Sequence, residues 1–195
     1  YILRNKKGEI LAPSQITNKW LANQKEQKEV QIDKIKLLYV GRMRKEKGIY
    51  SLLEIIKDSK IDLSLSIVGA EQDYLNQIVQ NNVHVHKIEN NEQNLIKFYD
   101  DHNIFVLPSY TEGHPMTLLE ALSRLRPVII FKEIEHVIGI KKGIFVADRN
   151  PISFCKTVKY VNENYTNIQD QMRENKLPTK DEFLKRFTEL ISRSN

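Results

Sequence analysis

Residues 104–121 read IFVLPSYTEGHPMTLLEA, an apolar run followed by a polar turn and then a helical pattern. A strand, turn and helix in this order point unpaired backbone N–H groups and the positive end of the helix dipole at one edge of a sheet. Glu112 and Glu120 lie on either side of the predicted helix start, and Pro115 fits the first helical position, where a missing N–H costs nothing. This arrangement favours a ligand with hydroxyls at both ends and an anion between them, such as a nucleotide-sugar. Glutamates on helices are usually solvated, so the pair alone does not establish a site.

A second strand, turn and helix lies upstream, where residues 37–48 read LLYVGRMRKEKG. Arg42 offers a planar fork for phosphate oxygens, and Lys47 offers a mobile point charge. The spacing of Gly41, Gly48 and the lysine matches neither a Walker loop nor a dinucleotide fingerprint. A solvated basic turn is the simpler interpretation of this segment in isolation.

Apolar runs alternate with helical patterns through the middle of the chain. The predicted strands are 37–40, 63–68, 83–86, 104–107, 128–131 and 144–146, and one of the helical patterns between them covers Tyr74, Leu75, Ile78 and Val79. This alternation predicts an α/β fold with a Rossmann-like parallel sheet, right-handed crossovers and a ligand at the carboxyl ends of the strands. Both glycine-bearing turns follow strands, so we expect them to meet at one edge and form one site.

The composition indicates a globular domain with an uneven charge, and the same basic surplus could also serve an acidic lipid. The 195 residues are 41% hydrophobic, and no apolar run approaches the roughly 20 residues that a membrane span needs. Residues 1–50 hold 12 Lys and Arg against 5 Asp and Glu, a surplus that would attract an anionic nucleotide. We expect no nucleic-acid partner, because no basic helix with interleaved aromatic residues is present. The single cysteine, Cys155, excludes an internal disulfide and fits a reducing cytoplasm.

The flanks differ from the central alternating pattern. Residues 1–34 carry charge and little periodicity, and we interpret them as a linker or the tail of a preceding domain. Residues 35–165 form the predicted nucleotide-sugar-binding domain, and residues 166–195 combine a polar segment with a C-terminal amphipathic helix. Because the sequence starts at Tyr1 rather than methionine, we expect it to be a fragment.

Together these motifs resemble the retaining glycosyltransferases of family 4, the glycosyl transferases group 1. The resemblance is to the C-terminal, donor-binding domain of their GT-B fold. It covers roughly residues 35–165 and rests on an ordered set of segments: Gly41-Arg42, Glu46-Lys47-Gly48, Ser66–Gly69, Tyr99–Ser109, Glu112-Gly113, Glu120-Ala121, Pro127–Ile129, Glu135 and Gly143–Val146.

The resemblance implies a transferase that moves a sugar from a nucleoside diphosphate donor to an acceptor hydroxyl with retention of configuration. It implies that Arg42 and Lys47 bind the donor diphosphate, that Glu112 contacts the transferred sugar and that Glu120 holds the ribose hydroxyls. These implied roles make Glu112, Arg42 and Lys47 the candidate catalytic residues. The remaining donor-binding candidates are the backbone around Gly41, the turn that carries Lys87 and Ile88 beside the base, and the backbone of Gly113, His114, Pro115 and Met116 beside the sugar.

The chain also departs from the family pattern. Leu125 replaces a glycine that is usual two positions before the Pro127 equivalent, and the glycines usual between Ile130 and Glu135 are absent. The resemblance therefore supports Glu135 less than it supports Glu112 or Glu120. His84 and His86 share a strand face but lack a third ligand, so we expect neither a metal nor a cofactor.

The expected partners are a nucleotide-sugar donor and a saccharide or lipid-linked acceptor that binds through a missing N-terminal domain. Polysaccharide or glycolipid biosynthesis in the cytoplasm, with a peripheral contact at the inner face of the membrane, fits these partners. The chain alone is then expected to bind donor weakly and to transfer little or nothing. The alternatives are a non-catalytic donor-binding or scaffold subunit that pairs with a separate chain, and a GT-B-type epimerase, which fits the arginine-lysine turn less well.

Overall fold

The computed structural model describes residues 3–4, 10–24, 35–71 and 81–192 of the chain. Two short antiparallel strands, β1 (Leu3–Arg4) and β2 (Ile10–Leu11), precede a six-stranded sheet whose neighbouring strands all run parallel. The six strands are β3 (Ile35–Val40), β4 (Leu63–Ala70), β5 (Val83–Lys87), β6 (Ile104–Leu107), β7 (Val128–Phe131) and β8 (Ile144–Ala147). The predicted α/β class with a Rossmann-like parallel sheet is confirmed. Strands β6 and β7 are continuous, fully buried apolar runs, as expected where helices cover both faces of a parallel sheet.

The described helices connect and follow these strands. They are α1 (Asn18–Leu21), α2 (Ile49–Lys57), α3 (Glu92–Asp100), α4 (Met116–Ser123), α5 (Pro151–Glu163), α6 (Tyr165–Met172) and α7 (Lys180–Ser192), with 3-10 turns at Lys45–Lys47 and Lys132–Val137. Local sequence sets several of their starts. The Asn91 side chain accepts hydrogen bonds from the backbone N–H groups of Gln93 and Asn94 at the start of α3, and Asn150 caps α5 in the same way through Ser153.

The start of α4 differs by one position from the prediction. Pro115 was expected at the first helical position, but its ψ of 112° is extended and the helix begins at Met116. The ring of a proline fixes φ and leaves ψ free, so the residue can also occupy the position just before the first turn.

The order of strands along the sheet is β5-β4-β3-β6-β7-β8. From β3 the chain moves outward to β5, returns to the other side of β3 at β6, and then moves outward to β8. The carboxyl ends of β3 and β6 are therefore neighbours at a point where the strand order reverses. Ligands of open α/β sheets bind in the crevice that such a reversal creates.

The core contains two arginines as well as apolar side chains. Arg124 donates two hydrogen bonds of 2.9 Å to the carboxylate of Asp100 and further ones to the carbonyl groups of Trp20, Ala22 and Asn23. Arg126, equally buried, donates to the carbonyl group of Tyr99. Buried charges are tolerated when they are paired and hydrogen-bonded in this way.

The segment before β3 is attached to this core. Ile16 and Trp20 are buried, and the Trp20 ring lies edge-on against Tyr99 with centroids 5.4 Å apart. At the other end of the chain, α7 follows a loop whose Pro178 carbonyl accepts a hydrogen bond from Ser14. The domain boundaries at residues 34 and 165 stay predictions. The helix predicted around Tyr74–Val79 lies outside the described residues.

Two further observations concern the described residues only. None of the helices seen there has both the length and the apolar character that a bilayer crossing requires. His84 is exposed, and His86 packs against the Phe98 ring at a centroid distance of 4.9 Å.

Candidate functional site

The turn after β3 is held close to the loop after β6. Gly48, between the 3-10 turn and α2, has a φ of 68°, a left-handed conformation that favours glycine. A Cβ at this position would collide with the carbonyl oxygen of Pro108, which follows β6. The backbone N–H of Tyr110 also donates a 3.0 Å hydrogen bond to the carbonyl oxygen of Glu46. The two candidate segments of the sequence are thus in direct backbone contact.

A lysine and a glutamate meet where these two segments touch. Lys47 Nζ lies 2.7 Å from Glu112 Oε1, and the same oxygen accepts a 2.7 Å hydrogen bond from the Ser109 hydroxyl. The side chains are 30% exposed for Lys47 and 11% exposed for Glu112. Burial, and then the nearby carboxylates of Glu112 and Glu46, raise the pKa of Tyr39. The carboxylate is therefore fixed in position while the ammonium group still reaches solvent.

Arg42 lies beside this pair without sharing its contacts. Its side chain is exposed and forms no ion pair with any residue in the described ranges. Its backbone carbonyl accepts a 2.8 Å hydrogen bond from the Tyr39 hydroxyl, which shapes the turn around Gly41. The Arg42 side chain is therefore exposed in the turn that leads from β3 to Lys47.

Two histidines hold the backbone of the loop that carries Glu112. The Nε2 atom of His136 lies 2.8 Å from the Glu112 carbonyl oxygen, and the Nε2 atom of His114 lies 2.8 Å from the Pro13 carbonyl oxygen. Gly113, which lies between Glu112 and His114, is exposed, and a Cβ added there would meet nothing within 4 Å. Pro115 and Met116 follow, partly exposed, at the start of α4. Glu135 is exposed next to His136, and no contact with the site is seen for it.

Glu120 lies inside α4, with 6% of its surface exposed. Its Oε2 atom accepts a 2.8 Å hydrogen bond from the hydroxyl of Tyr99, which is fully buried. Burial raises the pKa of Glu120, and the hydrogen bond from Tyr99 opposes that shift. The structure does not bring Glu120 into contact with Glu112; the two carboxylates lie one before and one after the first turn of α4.

Lys87 and Ile88 occupy the same edge at a greater distance. Lys87 ends β5, which is separated from β3 by β4, and both side chains are exposed. The structure thus gathers Lys47, Glu112 and the start of α4 at the strand-order reversal, with Arg42 exposed in the turn after β3. It places the turn of Lys87 and Ile88 two strands away.

Four residues that contact this region carried no functional signal in the sequence. Ser109 and Tyr99 lie within the segments that define the resemblance, but nothing in their spacing indicated a bond to a glutamate. His136 and Arg149 reach the loop from the segments that follow β7 and β8. For Ser109 and Arg149, only a position just after a predicted strand could have drawn attention to the residue.

Arg149 makes the most contacts of these four. Its guanidinium group donates to Glu133 through Nε at 2.8 Å, to the carbonyl oxygens of Pro108 and Ser109 at 2.8 and 3.2 Å, and to the Ser51 hydroxyl at 2.8 Å. The guanidinium carbon also lies 4.0 Å from the centroid of the Tyr110 ring. The arginine therefore ties the loop after β6 to α2 and to the segment after β7.

The sequence matches a known family over most of its length. The family model described as "Glycosyl transferases group 1" matches residues 22–177. The chain therefore belongs to the glycosyl transferases group 1 family, and its sheet is the Rossmann-like half of a GT-B fold.

Curated relatives agree with this family. The chain is 31% identical over 122 residues to the capsular polysaccharide biosynthesis glycosyltransferase CapM of Staphylococcus aureus. It is 32% identical over 98 residues to the putative teichuronic acid biosynthesis glycosyltransferase TuaC of Bacillus subtilis. These matches cover 55% and 50% of this chain but only 31% and 25% of the two relatives. The chain thus corresponds to about a third or less of the curated relatives it matches.

Solved structures share the fold at low sequence identity. A sucrose-phosphate synthase from Thermosynechococcus elongatus matches with a TM-score of 0.67 at 16% identity, over 92% of this chain and 49% of that one. HepE from Anabaena, solved in complex with UDP and glucose, also gives a TM-score of 0.67, at 14% identity, over 82% of this chain and 48% of that one.

Proposed function

We propose that this chain is the donor-binding domain of a retaining glycosyltransferase of family 4. In this proposal it binds a nucleoside diphosphate sugar and contributes to transfer of the sugar to an acceptor hydroxyl with retention of configuration. The observation that carries the proposal is the Lys47–Glu112 pair, placed at the strand-order reversal beside the start of α4. The presence of UDP and glucose in the related HepE structure supports the ligand class.

The diphosphate is assigned to the cationic side of the site. Lys47 has three N–H donors and uses one of them on Glu112, so the others are able to meet phosphate oxygens. Arg42 at the rim adds a planar fork, and the start of α4 adds the positive end of a helix dipole. These groups would stabilise the negative charge that grows on the departing diphosphate.

The two glutamates are assigned to hydroxyl groups at opposite ends of the donor. Glu112 lies in the exposed loop and would orient the transferred sugar, with the backbone of Gly113 to Met116 beside it. Glu120 would hold the ribose hydroxyls through Oε1, the oxygen that Tyr99 does not occupy. The turn of Lys87 and Ile88 would lie against the base. No cofactor or metal is required by this scheme.

The acceptor is assigned to a second, N-terminal domain, so the chain alone should transfer little or no sugar. Polysaccharide or glycolipid biosynthesis in the cytoplasm, at the inner face of the membrane, fits the capsular and teichuronic acid relatives. Measurable turnover by the 195 residues with donor and simple sugar acceptors would contradict the need for that domain.

Calorimetric titration of the chain with UDP-, GDP- and ADP-sugars tests donor binding directly. We expect one nucleotide to bind and both Lys47→Ala and Glu120→Ala to weaken it. Unchanged affinity in both variants, or no binding of any of the three by the parent chain, would refute the assigned site.

A further inference from the structure

The side chain of Arg149 is 14% exposed at the carboxyl end of the sheet, where it follows β8. All five of its N–H groups have acceptors: the two oxygens of Glu133, the Ser51 hydroxyl, and the carbonyl oxygens of Pro108 and Ser109. An arginine with every donor used in a fixed geometry is far more rigid than a surface arginine.

Two aromatic rings restrict the guanidinium group further. Its carbon lies 4.0 Å from the centroid of the Tyr110 ring and 4.3 Å from that of the Phe131 ring. Contacts of this length are attractive cation–π interactions, and they are strengthened by partial burial. Tyr110 belongs to the same loop as the two carbonyl groups, so Arg149 contacts three consecutive residues, Pro108, Ser109 and Tyr110.

These three residues lie just upstream of the proposed sugar-binding glutamate, and Thr111 alone separates Tyr110 from Glu112. The hydroxyl of Ser109, whose carbonyl Arg149 binds, donates to Glu112 Oε1, the oxygen that also faces Lys47. The Pro108 carbonyl lies against Gly48 at the start of α2, directly after Lys47. Arg149 therefore binds the point where the backbone segments of Lys47 and Glu112 touch.

We propose that Arg149 is a positioning residue of the donor site, which sets Glu112 against Lys47 by fixing the loop at residues 108–110. Glu133 supports it by accepting hydrogen bonds through both carboxylate oxygens. This inference rests on the proposed function for its consequence in donor binding, but the loop geometry can be measured without a donor.

The experiment compares Arg149→Met and Arg149→Lys with the exposed control Arg186→Met. Backbone amide NMR spectra of each full chain first show whether it is folded and whether the amides of residues 109–113 have moved. Calorimetry with the sugar nucleotide that the parent chain binds then gives the affinity. We expect displaced amides at 109–113 and about tenfold weaker binding in Arg149→Met, an effect of the size that loss of about one net hydrogen bond produces.

Arg149→Lys retains the charge but replaces the fork by a single ammonium group, so its affinity should stay reduced. Arg186→Met should match the parent in both measurements. Unmoved amides at 109–113 in folded Arg149→Met, or full donor affinity in that variant, would overturn the role of Arg149. Lack of donor binding by the parent chain would instead count against the proposed function. The role of Arg149 is thus tested on the Arg149→Met variant and the proposed function on the parent chain, so the two failures are distinguishable.

Discussion

Lys47 and Glu112 form a 2.7 Å ion pair although 65 positions separate them in the chain. They meet because β3 and β6, the strands that precede them, are hydrogen-bonded neighbours. Both side chains are largely buried, so solvent screens their charges less than it screens the charges of a pair on an open surface. The pair defines the centre of the proposed donor site.

Replacing Lys47 should weaken donor binding far more than replacing its neighbour Lys45. Lys47→Met removes a charged donor from the proposed diphosphate site and leaves Glu112 without its cation, which should cost roughly tenfold to a hundredfold in affinity. Lys45→Met changes the net charge equally, at an exposed position of the same 3-10 turn. Calorimetry at two salt concentrations measures both effects. Equal losses in the two variants would show that only the overall charge matters.

The stability of the chain should depend on pH through Glu120. Burial raises the pKa of this carboxyl in the folded state, so the folded protein holds the proton more tightly than the unfolded chain. The contribution of Glu120 to stability is therefore greatest below its ordinary pKa and is lost as pH rises through the folded value. The Glu120→Gln substitution removes the titrating carboxyl and, with it, this pH-dependent contribution to stability.

Urea unfolding of the parent and of Glu120→Gln across pH 4 to 8 measures the difference. The parent should lose stability relative to the variant as pH rises. Because the hydroxyl of Tyr99 bonds the charged carboxylate, Tyr99→Phe should make that loss steeper. A stability difference between parent and Glu120→Gln that stays constant over this range would contradict the shifted pKa.

Substitution of Gly48 should destabilise the fold, whereas substitution of Gly113 should not. Gly48→Ala forces a Cβ into the left-handed region, at about 1–2 kcal/mol, and against the Pro108 carbonyl, at about 1–3 kcal/mol more. Gly113→Ala lies in the same functional region but has open space around its Cβ. Chemical denaturation gives both free energies of unfolding, and similar values for the two would count against the close contact at Gly48.

Breaking the buried ion pair of Asp100 and Arg124 should lower the free energy of unfolding more than breaking a surface ion pair. Asp100→Asn leaves the charge of Arg124 without its partner inside the core, a change that costs about 3–5 kcal/mol. Asp170→Asn removes a carboxylate that is 70% exposed and 3.8 Å from Arg173, a type of pair worth at most about 1 kcal/mol. Thermal unfolding of the two variants should separate them clearly, and a small effect of Asp100→Asn would contradict the inferred role of the pair.

The sheet was predictable because most of its strands are largely apolar segments bounded by glycine, proline or polar residues, although β5 alternates valine and histidine. The run 104–107 and the turn after it, for example, fix both a strand and the helix that follows. Such signals are local, and they also place Lys47 and Glu112 after strands whose carboxyl ends share an edge.

The contacts that support the candidate site were not predictable, because the residues that make them lie far apart in the sequence. Arg149 binds groups that lie 16, 40, 41 and 98 positions away in the sequence, and no periodic pattern connects them. Trp20 and Leu21 were the exception in a segment of little periodicity, and that short signal was too weak to separate the segment from a linker. The contacts of Trp20 with Tyr99 and Arg124 depend on the folded chain.

The contact between Trp20 and Tyr99 has a practical meaning for work with shorter versions of this protein. The hydroxyl of Tyr99 donates a hydrogen bond to Glu120, and the indole ring of Trp20 packs edge-on against the phenol ring. A truncation just before Ile35 would remove the Trp20 contact and weaken the support of the Glu120 carboxylate, which lies much later in the chain. Shorter versions of the protein that are made for crystallisation or ligand screening should therefore keep residues 10–24.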